Sequence, residues 1–337
     1  MTRPITGRVA PGQRRNAGEP ATGQATVPEP DAARIAVDLL GGDHAPAVVV
    51  DGALRAIQAD PVVHLLLVGP SEAAGEILAA LAPADRARVT VLGGPVAPAH
   101  PANADWVEAG VRAAVQAVAQ GRADAVVSAG NTGATVTAAA LSFGRWPAVR
   151  RPALAAVLPT AAGRVVLVDV GATVDPDEQA LTVNARLGSA YAEIVHAVPH
   201  PRVGLLTIGT EPGKGDRLRR AMPAVLETAG VRYVGLVEGN DVVTGDRADV
   251  VATDGFTGNV LLKGLETAYE LIGPPDGRRT PRAALLLGVD GTVVVCHGAA
   301  SGTDLAAGIC LAADLHRRRA VPAIATLMSE PEVIDEQ

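Results

Sequence analysis

The run Ala123-Asp124-Ala125-Val126-Val127-Ser128-Ala129-Gly130-Asn131-Thr132-Gly133-Ala134-Thr135 decides the fold class. Ala125–Ser128 is a short aliphatic run of the kind buried on both faces of a parallel sheet. A turn of small residues follows, then an Ala-rich stretch with helical character. A strand that passes through a Gly turn into a helix is half of a βαβ unit. The helix start presents backbone N–H groups at the positive end of its dipole, which favours an anion. Ser128, Asn131 and Thr132 add side-chain donors, and Gly130 and Gly133 let a ligand approach the backbone. The plainer use of the same residues is an N-cap with close strand–helix packing.

The pattern repeats outward in both directions. Strands are predicted at Arg34–Leu40, Val63–Val68, Arg88–Leu92, Ala125–Ser128, Arg164–Val170, Arg202–Ile208 and Val293–Cys296. Helical stretches lie between them, as at Asp105–Gln120, where Val107, Val111, Ala114, Val115 and Val118 recur at helical spacing. Alternation of this sort predicts an α/β fold with a mainly parallel sheet flanked by helices. Ligands in such sheets bind beyond the carboxyl ends of the strands. The Gly-rich segments sit at those ends.

The 337 residues are 48% hydrophobic but only 2% aromatic, so the core is built from Ala, Val, Leu and Ile. So few aromatics argue against stacking on single-stranded nucleic acid. A net charge of -7 argues against nonspecific attraction to DNA or anionic lipid, and no nucleic-acid partner is expected. Two cysteines, Cys296 and Cys310, make no disulfide framework and fit a reduced, cytoplasmic setting. No apolar stretch is long enough to span a membrane. Residues 1–32 are rich in Pro, Gly, Thr and Arg without apolar periodicity, and read as a disordered extension. The folded unit is expected over 33–320, with a tail over 321–337.

Four more strand ends carry candidate chemistry. In Asp38-Leu39-Leu40-Gly41-Gly42-Asp43-His44 two glycines and two aspartates form a turn before a helix. In Val168-Asp169-Val170-Gly171-Ala172-Thr173 a carboxylate either orients a donor or holds the turn by hydrogen bonds. Ile208-Gly209-Thr210-Glu211-Pro212-Gly213-Lys214-Gly215-Asp216 invites reading as a nucleotide P-loop. Three residues separate Gly209 from Gly213 where that motif needs four, and Gly215 stands where Ser or Thr is required. Lys214 is then either a point charge for phosphate or an exposed turn lysine. Thr253-Asp254-Gly255-Phe256-Thr257-Gly258-Asn259-Val260 repeats the small-residue helix start. Cys296 and His297 are neighbours on a strand and point to opposite faces, so they do not form a dyad. No G-x-S-x-G elbow and no zinc-ligand spacing is present.

Taken in order, VDLLGGDHAP, ADAVVSAGNTGAT, RPALAAVLPT, VVLVDVGA, GSAYAE, PRVGLLTIGTEPGKGD, VEGND, ADVVATDGFTGNVLLK and LLGVDGTVVVCHG resemble the PlsX family of phosphate acyltransferases. The resemblance runs from Arg34 to about Ala313. It implies a fold like that of isopropylmalate dehydrogenases and phosphotransacetylases, and a homodimer. It also implies transfer of an acyl group from acyl carrier protein to inorganic phosphate for phospholipid synthesis, without a cofactor or metal, with peripheral contact to a membrane. For that reaction, catalytic roles are expected for Lys214, Asp254, Asp169 and Asn131. Asp38, Gly41, Gly42, Asp43, Ser128, Gly130, Thr132, Gly133, Gly171, Glu238, Gly258, Asn259 and His297 are implied to bind substrate. Phosphate is expected at the Asn131–Gly133 helix start beside Lys214, and the Gly130–Ala134 and Gly255–Val260 turns are expected to share one cleft.

The sequence departs from the family in places. Pro101–Gly110 holds no basic residue where a basic, Ser-containing segment is expected. Thr173 and Asn240 stand for Asn and Arg, and Ala299 and Ala300 stand for serines. The long helical region after the GNV helix is shortened to Tyr269–Ala284. These changes motivate two rivals: an acyltransferase with another donor or acceptor, and a non-catalytic homologue that binds an acyl carrier. A nicotinamide dehydrogenase fits least, since no G-x-G-x-x-G follows the early strands. Docking an acidic carrier needs local positive charge, for which Arg217, Arg219, Arg220 and Arg317–Arg319 are candidates, although a solvated helix face is the commoner meaning of such runs.

Overall fold

A computed structural model describes residues 32–93, 104–211, 213–275, 277 and 282–329. The chain opens with β1 (Ala33–Asp38), α1 (Ala47–Ala59), β2 (Val63–Gly69), α2 (Ser71–Ala80), α3 (Pro83–Arg86) and β3 (Val89–Gly93). It continues through α4 (Ala104–Ala119), β4 (Ala125–Ser128) and α5 (Thr132–Ser142) to β5 (Ala153–Thr160), β6 (Gly163–Val168) and α6 (Glu178–His196). Next come β7 (Arg202–Leu206), α7 (Arg217–Leu226), β8 (Arg232–Val237), α8 (Gly239–Thr244), β9 (Val250–Ala252) and α9 (Gly255–Ile272). The last described elements are β10 (Ala283–Leu287), β11 (Thr292–Cys296), α10 (Gly302–Arg317) and α11 (Ala320–Ser329).

The strands among the described residues join one sheet in the order β3-β2-β1-β4-β11-β10-β5-β6-β9-β7-β8. The inner strands are aliphatic because both their faces are covered, while β3 and β8 at the two margins are more exposed. Ile35, Val37, Leu65, Leu67, Val127, Val166 and Val168 face one apolar layer, in which α1, α6 and α10 lie. Ala36, Leu66, Val68, Val126, Leu167 and Val251 face the other, with α4 and α5. The helices hold by the same burial. Leu305, Ile309 and Leu315 of α10 are at most 1% exposed, and each such side chain contributes about 1.5–3 kcal/mol.

The seven predicted strands are all present, and the expected mainly parallel sheet is found. Four further strands, β5, β8, β9 and β10, were not foreseen. Two of them change the topology. The pairs β11–β10, β10–β5 and β5–β6 are antiparallel, while the remaining pairs are parallel. The sheet therefore consists of two parallel halves that run in opposite directions, joined through β10 and β5. Residues 321–329, expected as part of a tail, instead belong to α11, whose Val321 and Ile324 are buried and which packs on α6. The expected extension over 1–32 lies outside the described residues except for Ala32.

Candidate active site

Several helix starts are capped by short polar side chains, three of them in the motifs. Asn131 accepts a hydrogen bond from the N–H of Ala134, Asp177 from Ala180, Asp216 from Arg219 and Asp254 from Thr257. The plainer meaning of these residues is thus realised. The groups they hold in place fall into two clusters.

The first cluster lies beyond the carboxyl ends of β1, β4 and β11. Asp38, 1% exposed, accepts the Ser128 hydroxyl at 2.8 Å and the Leu40 N–H at 3.1 Å. Ser128 Oγ in turn accepts the Gly130 N–H at 3.0 Å. A Cβ on Gly41 would stand 2.6 Å from Gly130 N and 2.9 Å from Asp38 Oδ2, so the two turns touch through glycine. Burial, countered by the Ser128 and Leu40 hydrogen bonds, pushes the Asp38 carboxyl up to about 6. Gly42, at φ +115, packs on the Gly298 carbonyl, which accepts the Asp43 N–H at 2.8 Å. Thr132 and Gly133 open α5, where their N–H groups precede the first intrahelical acceptor.

His297 belongs to this cluster. Its Nδ1 lies 3.2 Å from the Ala299 N–H, so Nδ1 is the acceptor and the ring proton sits on Nε2. Burial lowers its pKa, as do the charges of Lys263 and Arg282, against Asp43 and Asp304. The ring is therefore a neutral donor at neutral pH. Cys296 points the other way: a Cβ on Gly308 of α10 would stand 2.6 Å from its sulfur. Burial pushes that thiol up to about 12, and the sequence argument against a Cys–His dyad agrees with this geometry.

The second cluster lies beyond β6, β7 and β9. Asp169 is fully buried, and its carboxylate accepts the N–H groups of Leu154, Gly171, Ala172 and Thr173 at 2.6–3.1 Å. That is the turn-holding alternative. Burial nevertheless keeps its pKa above the usual carboxylate range. Gly258 packs so closely that a Cβ would meet the Asp169 carbonyl at 1.9 Å, and Asn259 Nδ2 donates to the Val170 carbonyl at 3.0 Å. Asp254 caps α9 and pairs with the buried Arg219. Lys214 is exposed in the turn before α7. Glu238 caps α8, and its N–H donates to Asp241 Oδ2 at 2.8 Å.

The register across the sheet corrects the expectation of one shared cleft. Ser128 pairs with Val295, Val295 with Ala284, Ala284 with Ala156, Ala156 with Leu167, and Leu167 with Val251. Ser128 is thus level with Val251, yet β4 and β9 leave that level in opposite directions. The Gly130–Ala134 turn lies past one edge of the sheet and the Gly255–Val260 turn past the other. Lys214 follows β7, which is parallel to β9, and so sits with the second cluster, apart from Asn131. The reason is the direction reversal at β10 and β5. The docking role considered for Arg219 is corrected too, because its guanidinium is buried against Asp216 and Asp254. Arg317 is tied to Asp60 and Arg318 to Asp314.

One element connects the clusters. α9 starts at Asp254 in the second and brings Lys263, roughly 14 Å further along its axis, within electrostatic range of His297. Lys263 falls within the ADVVATDGFTGNVLLK motif, but neither it nor Glu266 or Arg282 is among the site residues expected from the sequence. The available signal was the i, i+3 spacing of Lys263 and Glu266, which puts them on one helix face.

A model of a family described as fatty acid synthesis protein matches residues 33–274. The chain is 39% identical over 315 residues to the phosphate acyltransferase of Thermobifida fusca (strain YX), covering 83% of this chain and 87% of that one. The chain belongs to this family. It is also 44% identical over 250 residues to the phosphate acyltransferase of Bacillus subtilis (strain 168), covering 69% of this chain and 71% of the relative. Among solved structures, a phosphotransacetylase from Streptococcus pyogenes superposes with a TM-score of 0.58 at 18% identity, covering 84% of this chain and 94% of its own. A 4-hydroxythreonine-4-phosphate dehydrogenase from Klebsiella pneumoniae gives 0.55 at 15% identity, over 85% and 98%. Those two likenesses establish the fold, and the expected likeness of fold to phosphotransacetylases holds. No described helix is long and apolar enough to cross a membrane.

Proposed function

We propose that this member of the family transfers an acyl group from a carrier-protein thioester to inorganic phosphate, at the first cluster. The observation that carries the reading is convergence. The Asp38–Ser128–Gly130 chain fixes a glycine turn at the α5 helix start, the Gly298 carbonyl next to His297 packs on Gly42 beside it, and α9 brings Lys263 within electrostatic range of His297. Phosphate is held by the Thr132 and Gly133 N–H groups and by Lys263, which takes the place first given to Lys214. A phosphate oxygen attacks the thioester carbonyl carbon. The new C–O bond forms, the C–S bond breaks, and the electron pair departs on sulfur, towards which His297 Nε2–H is a donor. Backbone N–H groups stabilise the tetrahedral oxyanion. Positioning two substrates supplies much of the rate without a covalent enzyme intermediate.

Asp169 and Asp254 take structural roles here, because their oxygens are already engaged. The finer features carried by the family resemblance, namely acyl carrier protein as donor and a homodimer, belong to the same proposal. Support for self-association comes from α9, where Phe256, Val260 and Leu271 are 62%, 59% and 79% exposed. Sedimentation of the purified chain as a monomer at all concentrations would remove that part. The helical region after α9, which the family resemblance links to dimer and membrane contact, is shortened, and positions 276 and 278–281 within it lie outside the described residues.

Incubation with acyl-carrier thioester and phosphate is expected to give an acyl phosphate that hydroxylamine traps. A second reading, with another acceptor, is favoured by Ala299 and Ala300, which put no hydroxyl beside His297. An acylated product formed equally well without phosphate selects that reading. Absence of any phosphate-dependent product, at every chain length tried, refutes the first.

A further inference from the structure

A cavity of about 440 Å³ lies between α9, the end of β5 and the turn after His297, a size suited to a small ligand. Val157, Leu158 and Leu262 give it an apolar wall; Glu266, Arg282 and Ser301 give it a polar one. The Glu266 side chain is only 8% exposed, and its Oε2 is buried without a hydrogen-bond partner. Arg282 Nε is buried and unpartnered as well. The two residues face each other, with Arg282 Nη2 3.7 Å from Glu266 Oε2, an ion pair too long for a hydrogen bond. Buried polar atoms are almost always satisfied, so an unpaired acceptor beside an unpaired donor calls for explanation.

The chemistry narrows the occupant. An alkyl chain would leave both atoms unsatisfied, which is costly. An anion would meet Glu266, Glu270 and Asp304, all of which line the cavity. A neutral secondary amide offers an N–H to the carboxylate and a C=O to the guanidinium, with apolar flanks for the wall. The cavity also opens beside the reacting centre. The His297 N–H contacts the Arg282 carbonyl at 3.4 Å, and Ala300 N–H bonds back to His297 at 2.9 Å.

We propose that this cavity binds the amide-bearing pantetheine arm of the thioester donor, with Glu266 accepting from an amide N–H and Arg282 donating to an amide carbonyl. The inference rests on the acyl-transfer reading and adds a subsite to it. The arm is shared by carrier protein and coenzyme A, so the site recognises both, and neither the carrier's surface nor the nucleotide is needed.

Two variants test it, Glu266→Leu and Leu262→Trp, the first removing the polar partner and the second filling the space. Both are assayed with an acyl-pantetheine, an acyl carrier thioester, an acyl-coenzyme A and an acyl thioester of 2-mercaptoethanol, which has no amide. Glu266→Leu is expected to raise KM about tenfold for the three amide-bearing donors, equivalent to 1.4 kcal/mol. Its KM for phosphate and for the mercaptoethanol thioester should stay within about twofold, and its Tm should not fall. Leu262→Trp is expected to abolish calorimetric binding of free pantetheine seen with the unaltered protein. Equal effects on donors with and without amides, or unchanged KM for all, overturn the inference while leaving acyl transfer intact. Pantetheine binding lost in both variants, in a protein that makes no acyl phosphate, sustains the subsite and overturns the reaction instead.

Discussion

Asp38 holds its carboxyl near 6 because burial disfavours the charge more than Ser128 and Leu40 favour it. The sign follows. An acid whose pKa is higher folded than unfolded binds more protons in the folded state between its ordinary 3.8 and about 6. Stability falls as pH rises through that window, by roughly 3 kcal/mol at most. Asp38→Asn, which keeps an acceptor for Ser128, should flatten this fall. Urea unfolding of both proteins between pH 4 and 7 measures it, and parallel profiles would contradict the account. Asp254 behaves oppositely. Burial raises its pKa, but the Thr257 N–H and the Arg219 and Thr257 side chains outweigh burial and hold it below the usual range. Its contribution is present at neutral pH and lost as pH falls through the depressed value. Asp254→Ala removes one of the two carboxylates paired with the buried Arg219, leaving Asp216, and is expected to cost about 1.5–3 kcal/mol, read as a lowered denaturation midpoint. A loss below about 1 kcal/mol would show that the pair is not structural.

At the scale of elements, α9 governs the relation between the two clusters. Its descent onto the sheet depends on Gly258, where a Cβ would meet the Asp169 carbonyl at 1.9 Å. Gly258→Ala must lift the helix start, and with it Lys263. Activity is expected to fall at least tenfold with a stability loss of about 1–3 kcal/mol from overpacking; full activity with unchanged Tm would contradict that placement. The strand–turn–helix pieces were legible because aliphatic runs, Gly turns and capping residues are local signals. β10 and β5 were not. Ala283–Leu287 reads AALLL, equally at home in a helix, and Ala153–Thr160 is Ala-rich and carries Pro159. Their strand state comes from cross-sheet pairing, which no window of sequence displays. α11 escaped notice for a similar reason, since its partner α6 lies more than a hundred residues earlier.

At the scale of the whole molecule, those two unforeseen strands decide how the motifs combine. Each motif was located in sequence, but which motifs share a pocket depends on strand direction. One reversal in the middle of the sheet sends Asn131 and Lys214 to opposite edges and lets α9 carry a different lysine to His297. Asp38, Ser128 and Gly130 were each legible as strand-end residues of separate motifs; that they join in one hydrogen-bond chain follows from β1 and β4 lying adjacent and parallel. Glu266 and Arg282 were not, because they meet only across the chain reversal after α9. The central claim is that phosphate binds at the α5 start with Lys263 as its cation. The steady-state phosphate dependence of Lys263→Ala and Lys214→Ala tests it most directly. Loss of one charge-assisted hydrogen bond of about 1.5–3 kcal/mol predicts a KM for phosphate raised roughly 10- to 100-fold in Lys263→Ala and changed less than about twofold in Lys214→Ala. The reverse pattern, with phosphate affinity lost in Lys214→Ala and kept in Lys263→Ala, would contradict it.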